Sequence, residues 1–178
     1  MKNKSFNLAK PITAAMLIAL AITLPFLTGQ IQQIGNMLCP MHIPVLICGF
    51  ICGPYYGLLV GGISPLLRSV CFGMPNIFPE AVGMSAELMA YGFFSGFIYR
   101  LLPKRKLSIY ISLVLSMLIG RVVWGCVRAL LYGVFGAKFS LAIFIAGAFT
   151  KAIPGIILQL ILIPVLVLTL ERIFPKLK

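Results

Sequence analysis

The chain is built from long apolar runs set apart by short breaks of polar, glycine and proline residues. A helix needs about 20 mainly apolar residues to cross the hydrocarbon of a bilayer. Measured against that length, the runs predict spans over residues 11–29, 41–53, 54–72, 80–102, 107–135 and 141–173. The breaks carry their own turn chemistry. Gln30–Asn36 is polar without charge, Gly53–Gly57 and Gly73–Pro79 hold the Gly and Pro of turns, Pro103–Lys106 is basic, and Gly136–Ser140 opens on glycine. The second run is short for a full crossing, and one kinked helix over 41–72 is the alternative. Two helices are favoured, because 32 residues exceed one span and Pro54 cannot continue a helix without losing a backbone hydrogen bond. The last run is long, and Pro154 and Pro164 are placed to kink or tilt it. The expected fold class is all-α: one transmembrane domain, 1–178, forming an integral membrane bundle of six helices.

Composition agrees with a membrane protein. Hydrophobic residues make up 61% of the chain and charged residues 10%, against about 25% charged in a soluble domain; mean hydropathy is +1.08. The net charge of +12 would suit nucleic acid, but the basic residues flank apolar runs and form no basic domain face. Most of them fall at three places: Lys2, Lys4 and Lys10; Arg100, Lys104, Arg105 and Lys106; Arg172, Lys176 and Lys178. Six spans put all three clusters on one side, which the positive-inside rule makes cytoplasmic, together with both termini. The first 30 residues are similar to a signal peptide, yet no small-x-small site closes the run, so an uncleaved first span is expected.

Five Cys, one His and no Asp leave no ordinary zinc constellation, and the cysteines read as small packing residues. The same shortage argues against an enzyme: only Glu80 or Glu87 is available as a carboxylate base inside the apolar runs.

The remaining charges are the anomaly. Arg68, Glu80, Glu87, Arg121, Arg128 and Lys151 lie within or at the edges of apolar runs, where an ionisable group marks function by default. Arg121 and Arg128 are seven residues apart, on one helix face and about 10 Å apart along it. Trp124 and Tyr132 fall on or near that face. Glu80 and Glu87 repeat the spacing on span 4, with Tyr91 one turn on. The topology places Arg68, Glu80, Glu87 and Arg128 in the outer half, with Arg121 and Lys151 nearer the middle. An outward polar cavity accommodates such a cluster most cheaply. Two readings stand: contact with a solute, or structural ion pairs such as Glu87 with Arg121 or Arg128. Four bases against two acids leave positive charge over, which favours an anionic solute or one rich in acceptors. His42, at the entry to span 2, is either a polar group at a helix start or a solute contact.

Small residues form a second pattern. Gly49, Gly53, Gly57 and Gly61 recur every four positions, Gly92 and Gly96 repeat the spacing, and span 1 carries Ala15 and Ala19. Such spacing lets helices approach closely, within the bundle for the glycines and either inward or toward a partner for the alanines.

Together these features resemble the substrate-binding S components of energy-coupling factor (ECF) vitamin transporters. The resemblance covers nearly the whole chain and rests on length, six spans, the basic N-terminus and the Ala15-xxx-Ala19 pair. It also rests on the blocks Met41-His-Ile-Pro-Val45, Gly53-Pro-Tyr-Tyr-Gly57, Leu66-Leu-Arg68 and Phe78-Pro79. It implies a multi-pass protein of a bacterial plasma membrane that captures a water-soluble vitamin from outside and docks on a transmembrane coupling (T) subunit bearing two cytoplasmic ATPases. It implies contacts from Glu87, Trp124, Arg128 and Lys151, with Ala15 and Ala19 facing the coupling subunit. No cofactor is expected in this chain. A GxxxxGK motif followed by Ser or Thr is absent, so ATP would be hydrolysed by the partners. The vitamin stays open: positive excess leans to a carboxylate such as pantothenate, nicotinate or a folate, while an aromatic–Glu site suits a cationic or pyridoxine-like ligand. A self-contained carrier or channel is the alternative function.

Overall fold

In the computed structural model, residues 8–28, 37–103, 105–134 and 152–173 are described. They form an all-helical bundle in the order α1 (Ala9–Thr23, continued by a tighter turn Leu24–Thr28), α2 (His42–Cys52), α3 (Pro54–Phe72), α4 (Val82–Leu101), α5 (Lys106–Val134) and α6 (Ile153–Ile173). Among the described residues, five helices are long and apolar enough to cross a membrane: α1 with its extension, α3, α4 with the turn before it, α5 and α6. The sixth, α2, has only 11 residues, about 16 Å of helix, and by itself does not reach across a ~30 Å hydrocarbon core.

The predicted spans shift at their edges for local reasons. Pro11 sits within the first turn of α1, where its missing N–H costs nothing, so the helix begins at Ala9 rather than at the proline. Glu80 belongs to a wide turn, Ile77–Ala81, in which Phe78 is extended (φ −127°, ψ 132°), and α4 proper begins at Val82. Residues 54–72 form a helix as expected, and the division from α2 falls at Gly53. Gly53 holds φ +106°, and the Arg100 guanidinium occupies the space its Cβ would need. Pro54 then opens α3 at its first position, and Gly73 ends it in the left-handed conformation. Pro154 lies in the first turn of α6 and Pro164 within it. The polar stretch 30–36, the turn 136–140 and the first part of predicted span 6, with Lys151, lie outside the described residues.

Every residue of α2 is buried, so this helix is the axis of the bundle, wrapped by α1, α3, α4 and α6. α5 packs on α4 and α6. Because lipid is as apolar as leucine, association here depends on close packing, and the glycines provide it. A Cβ at Gly92 on α4 would overlap the carbonyl of Gly57 on α3, and one at Gly49 on α2 would overlap the Gly92 carbonyl. Gly61 meets Leu88 and Gly96 meets Gly49 in the same way. The glycine spacing therefore serves packing between α2, α3 and α4. Some hydroxyls within the bundle bond back to their own helix, as Ser64 does to Val60 O at 2.7 Å and Ser116 to Leu113 O at 2.8 Å.

α1 is the least enclosed helix, burying Ala14, Leu17 and Ala21. Ala15 and Ala19 are exposed, beside Ile12, Met16 and Leu20.

The seam makes a direct prediction. Gly92→Ala should cost about 1–3 kcal/mol, the usual penalty of overpacking, and lower the thermal midpoint of the purified protein. Gly133→Ala on α5, where a Cβ meets nothing within 4 Å, should hold the midpoint or raise it slightly, since Ala favours a helix over Gly. Equal midpoints for the two variants would remove the seam's role.

Candidate functional site

The buried charges meet at the end of the bundle where α2 begins. His42 opens α2 after Cys39 and Pro40, whose carbonyls accept the N–H groups of His42 (3.0 Å) and Ile43 (3.3 Å). Cys39 holds φ +47°. This tight entry turns His42 into the bundle, where it is 1% exposed. Glu87 and Tyr91 face it from α4, one helical turn apart and 2% and 0% exposed. Arg121, 7% exposed, reaches in from α5.

The contacts form one network. Arg121 Nη1 stands 3.1 Å from Glu87 Oε1. His42 Nε2 is 3.7 Å from the same oxygen, and the His42 and Tyr91 rings meet edge to face at 5.2 Å. Gly120 makes room for it: the Tyr91 ring lies where a Cβ at that position would stand. Cys39 lies beside Arg121 and Glu87. Of the two ion pairs the sequence allowed, Glu87 takes Arg121, so that much of the charge is structural. The network is not fully satisfied: His42 Nε2 and Tyr91 Oη are turned toward the Glu87 carboxylate, while His42 Nδ1 and Arg121 Nε are buried without a hydrogen-bond partner. Several such groups in one place mark a polar site.

Arg128 stands two turns further along α5. Its Cζ lies 5.1 Å from the Trp124 ring centre and 5.8 Å from that of Tyr132, and Nη1 donates to Tyr132 Oη at 3.3 Å. A Cβ at Gly83 on α4 would touch Arg128 Cγ at 3.5 Å and Trp124 Cδ1 at 4.0 Å. Trp124 and Arg128 thus lie together against α4. Glu80, half-buried, sits in the turn before that helix, which also touches α5.

Arg68 stands apart from this group. It is 4% exposed and donates to the Ile22 carbonyl at the end of α1, with its guanidinium 5.2 Å from the Phe26 ring and 5.6 Å from that of Phe72. It pins α1 to α3. Lys151 lies outside the described residues.

Two participants were not anticipated from sequence. Cys39 was grouped with packing cysteines, and its place beside the ion pair depends on the turn before α2. Gln159, 1% exposed with its Oε1 lacking a partner, was passed over. It is the one polar side chain between Ala152 and Leu168, and that isolation was the available signal. Among the described residues no group of three His, Cys, Asp or Glu side chains could hold a metal ion.

The arrangement couples a deep ion pair with unspent donors to a guanidinium framed by two aromatic rings nearer the helix ends. It suits recognition of a small polar solute. A comparison with curated proteins finds no match, and no solved structure matches the chain. The family model described as ECF transporter, substrate-specific component, matches residues 10–167. Nearly the whole bundle described above falls within that match, and the chain belongs to this family of substrate-specific components of ECF transporters.

Proposed function

We propose that the protein captures a water-soluble vitamin from outside the cell at the end of the bundle holding His42, Glu87, Tyr91 and Arg121, with Trp124 and Arg128 as a second layer of contacts. The termini are then cytoplasmic, as the basic clusters require, and the membrane is the bacterial plasma membrane. Uptake is completed by a transmembrane coupling subunit and two ATPases, onto which the exposed Ala15–Ala19 face of α1 docks. Lys151 is a further candidate contact. The observation that carries this reading is the unfinished polar network: a buried ion pair that leaves His42 Nδ1 and Arg121 Nε beside it without an acceptor has donors a structural pair alone would not need.

The first test is mass spectrometry of the solute that co-purifies with protein from cells grown in rich medium. A stoichiometric vitamin is expected. An empty protein that no vitamin stabilises thermally, and that moves solutes in proteoliposomes without partners, would point instead to a self-contained carrier.

Glu87→Gln leaves the Arg121 charge buried without its carboxylate and should cost about 3–5 kcal/mol of stability, whereas Arg128→Ala should weaken solute binding with little change in thermal midpoint. Unchanged binding in Arg128→Ala would take that residue out of the site. Replacing both Ala15 and Ala19 with Trp should spare solute binding and abolish uptake in cells; persisting uptake would rule out docking through that face.

A further inference from the structure

The hydrogen-bond donors of Arg128 are not equally free. Nη1 is committed to Tyr132 Oη. The faces of the guanidinium are screened by Trp124 and Tyr132, and its stem rests on α4 at Gly83. Nε is buried with no hydrogen-bond partner. A buried N–H left unpaired is costly, so its retention calls for an acceptor. Nε and Nη2 share one edge of the guanidinium plane and donate in parallel. That edge is a fork matched to the two oxygens of one carboxylate.

The two buried arginines among the described residues have partners of their own. Arg121 faces Glu87, and Arg68 is tied to Ile22 and two phenylalanine rings. Among the described residues, no carboxylate stands within ion-pair distance of Arg128. A guanidinium with no carboxylate partner among the described residues and an unspent Nε calls for a single negative charge carried on two coplanar oxygens, one for Nε and one for Nη2. A phosphate monoester presents the same oxygens with nearly twice the charge and fits this balance less well.

We propose that the Nε–Nη2 edge of Arg128 binds a carboxylate of the captured solute, so that this chain selects a vitamin-sized acid over neutral and cationic vitamins. The assignment rests on the capture function proposed above. Tyr132 acts as a positioning residue, because by engaging Nη1 it turns the opposite edge toward the solute. Gly83, where a Cβ would stand 3.6 Å from Nε, leaves that edge room beside α4.

The chain reports on its own site, since Trp124 is its single tryptophan. The full-length protein is titrated with nicotinate, pantothenate and folate, with nicotinamide and pantothenamide as matched amides, and with pyridoxine, thiamine and pyridoxal phosphate. Trp124 emission and thermal stabilisation are the readouts. An acid should bind, and its amide should bind about 10- to 100-fold more weakly. Arg128→Gln should bring acid and amide nearly level. Arg128→Lys, which keeps the charge without the fork, should also lose affinity for the acid, and supplies the test if the Gln variant fails to fold. Acid and amide binding alike in the unaltered protein would overturn the assignment while leaving capture in place. So would selectivity that survives in both variants, or binding of pyridoxine, thiamine or pyridoxal phosphate alone. No binding by any compound, with no solute co-purifying, would overturn capture as well.

Discussion

Helices in a bilayer gain little by hiding apolar side chains from one another, because the lipid is as good a neighbour. What they gain comes from packing, and here that depends on the contact of three backbones. Gly49, Gly57 and Gly92 let α2, α3 and α4 touch main chain to main chain. That contact fixes the height of α4 against α2, and so places Glu87 opposite His42 and Tyr91 against its ring. The polar network has no independent means of assembly: its members sit on helices whose register the glycines determine.

The network in turn constrains α5. A carboxylate held in an apolar interior demands a partner, and Arg121 provides it. With Arg121 fixed, Arg128 is carried two turns along the same face to the edge of α4. The two arginines have the same chemistry and the same helix face, yet they end in opposite conditions. One is neutralised by an acid, and the other is framed by aromatic rings with its Nε unspent.

Much of this was readable in the chain. Five spanning helices followed from run length, though the second run made a helix too short to cross; the glycine seam followed from spacing of four, and the gathering of Glu87, Tyr91, Arg121, Trp124 and Arg128 from their shared faces and common end. Which arginine would meet Glu87 was not readable, because an interval of seven puts both on one face and only relative helix height separates them. Arg68 looked like a member of the cluster because it shares the same end of the bundle, but its partner is a carbonyl on α1. No side-chain pattern reports a backbone acceptor. His42 was ambiguous for a related reason: its inward aim comes from the turn at Cys39, whose positive φ has no glycine to announce it. Gln159 was hidden by the hydropathy of its surroundings, though a lone amide in such a run is itself a signal.

The brevity of α2 has a consequence for distance. Its far end is Gly53, overlain by Arg100 where α4 finishes, so one boundary of the bundle lies close to that turn. Eleven residues raise His42 only about 16 Å from it, near the mid-depth of a ~30 Å hydrocarbon layer. The polar network therefore sits no more than one short helix above that turn. Only one short helix separates the buried ion pair from the far end of the bundle.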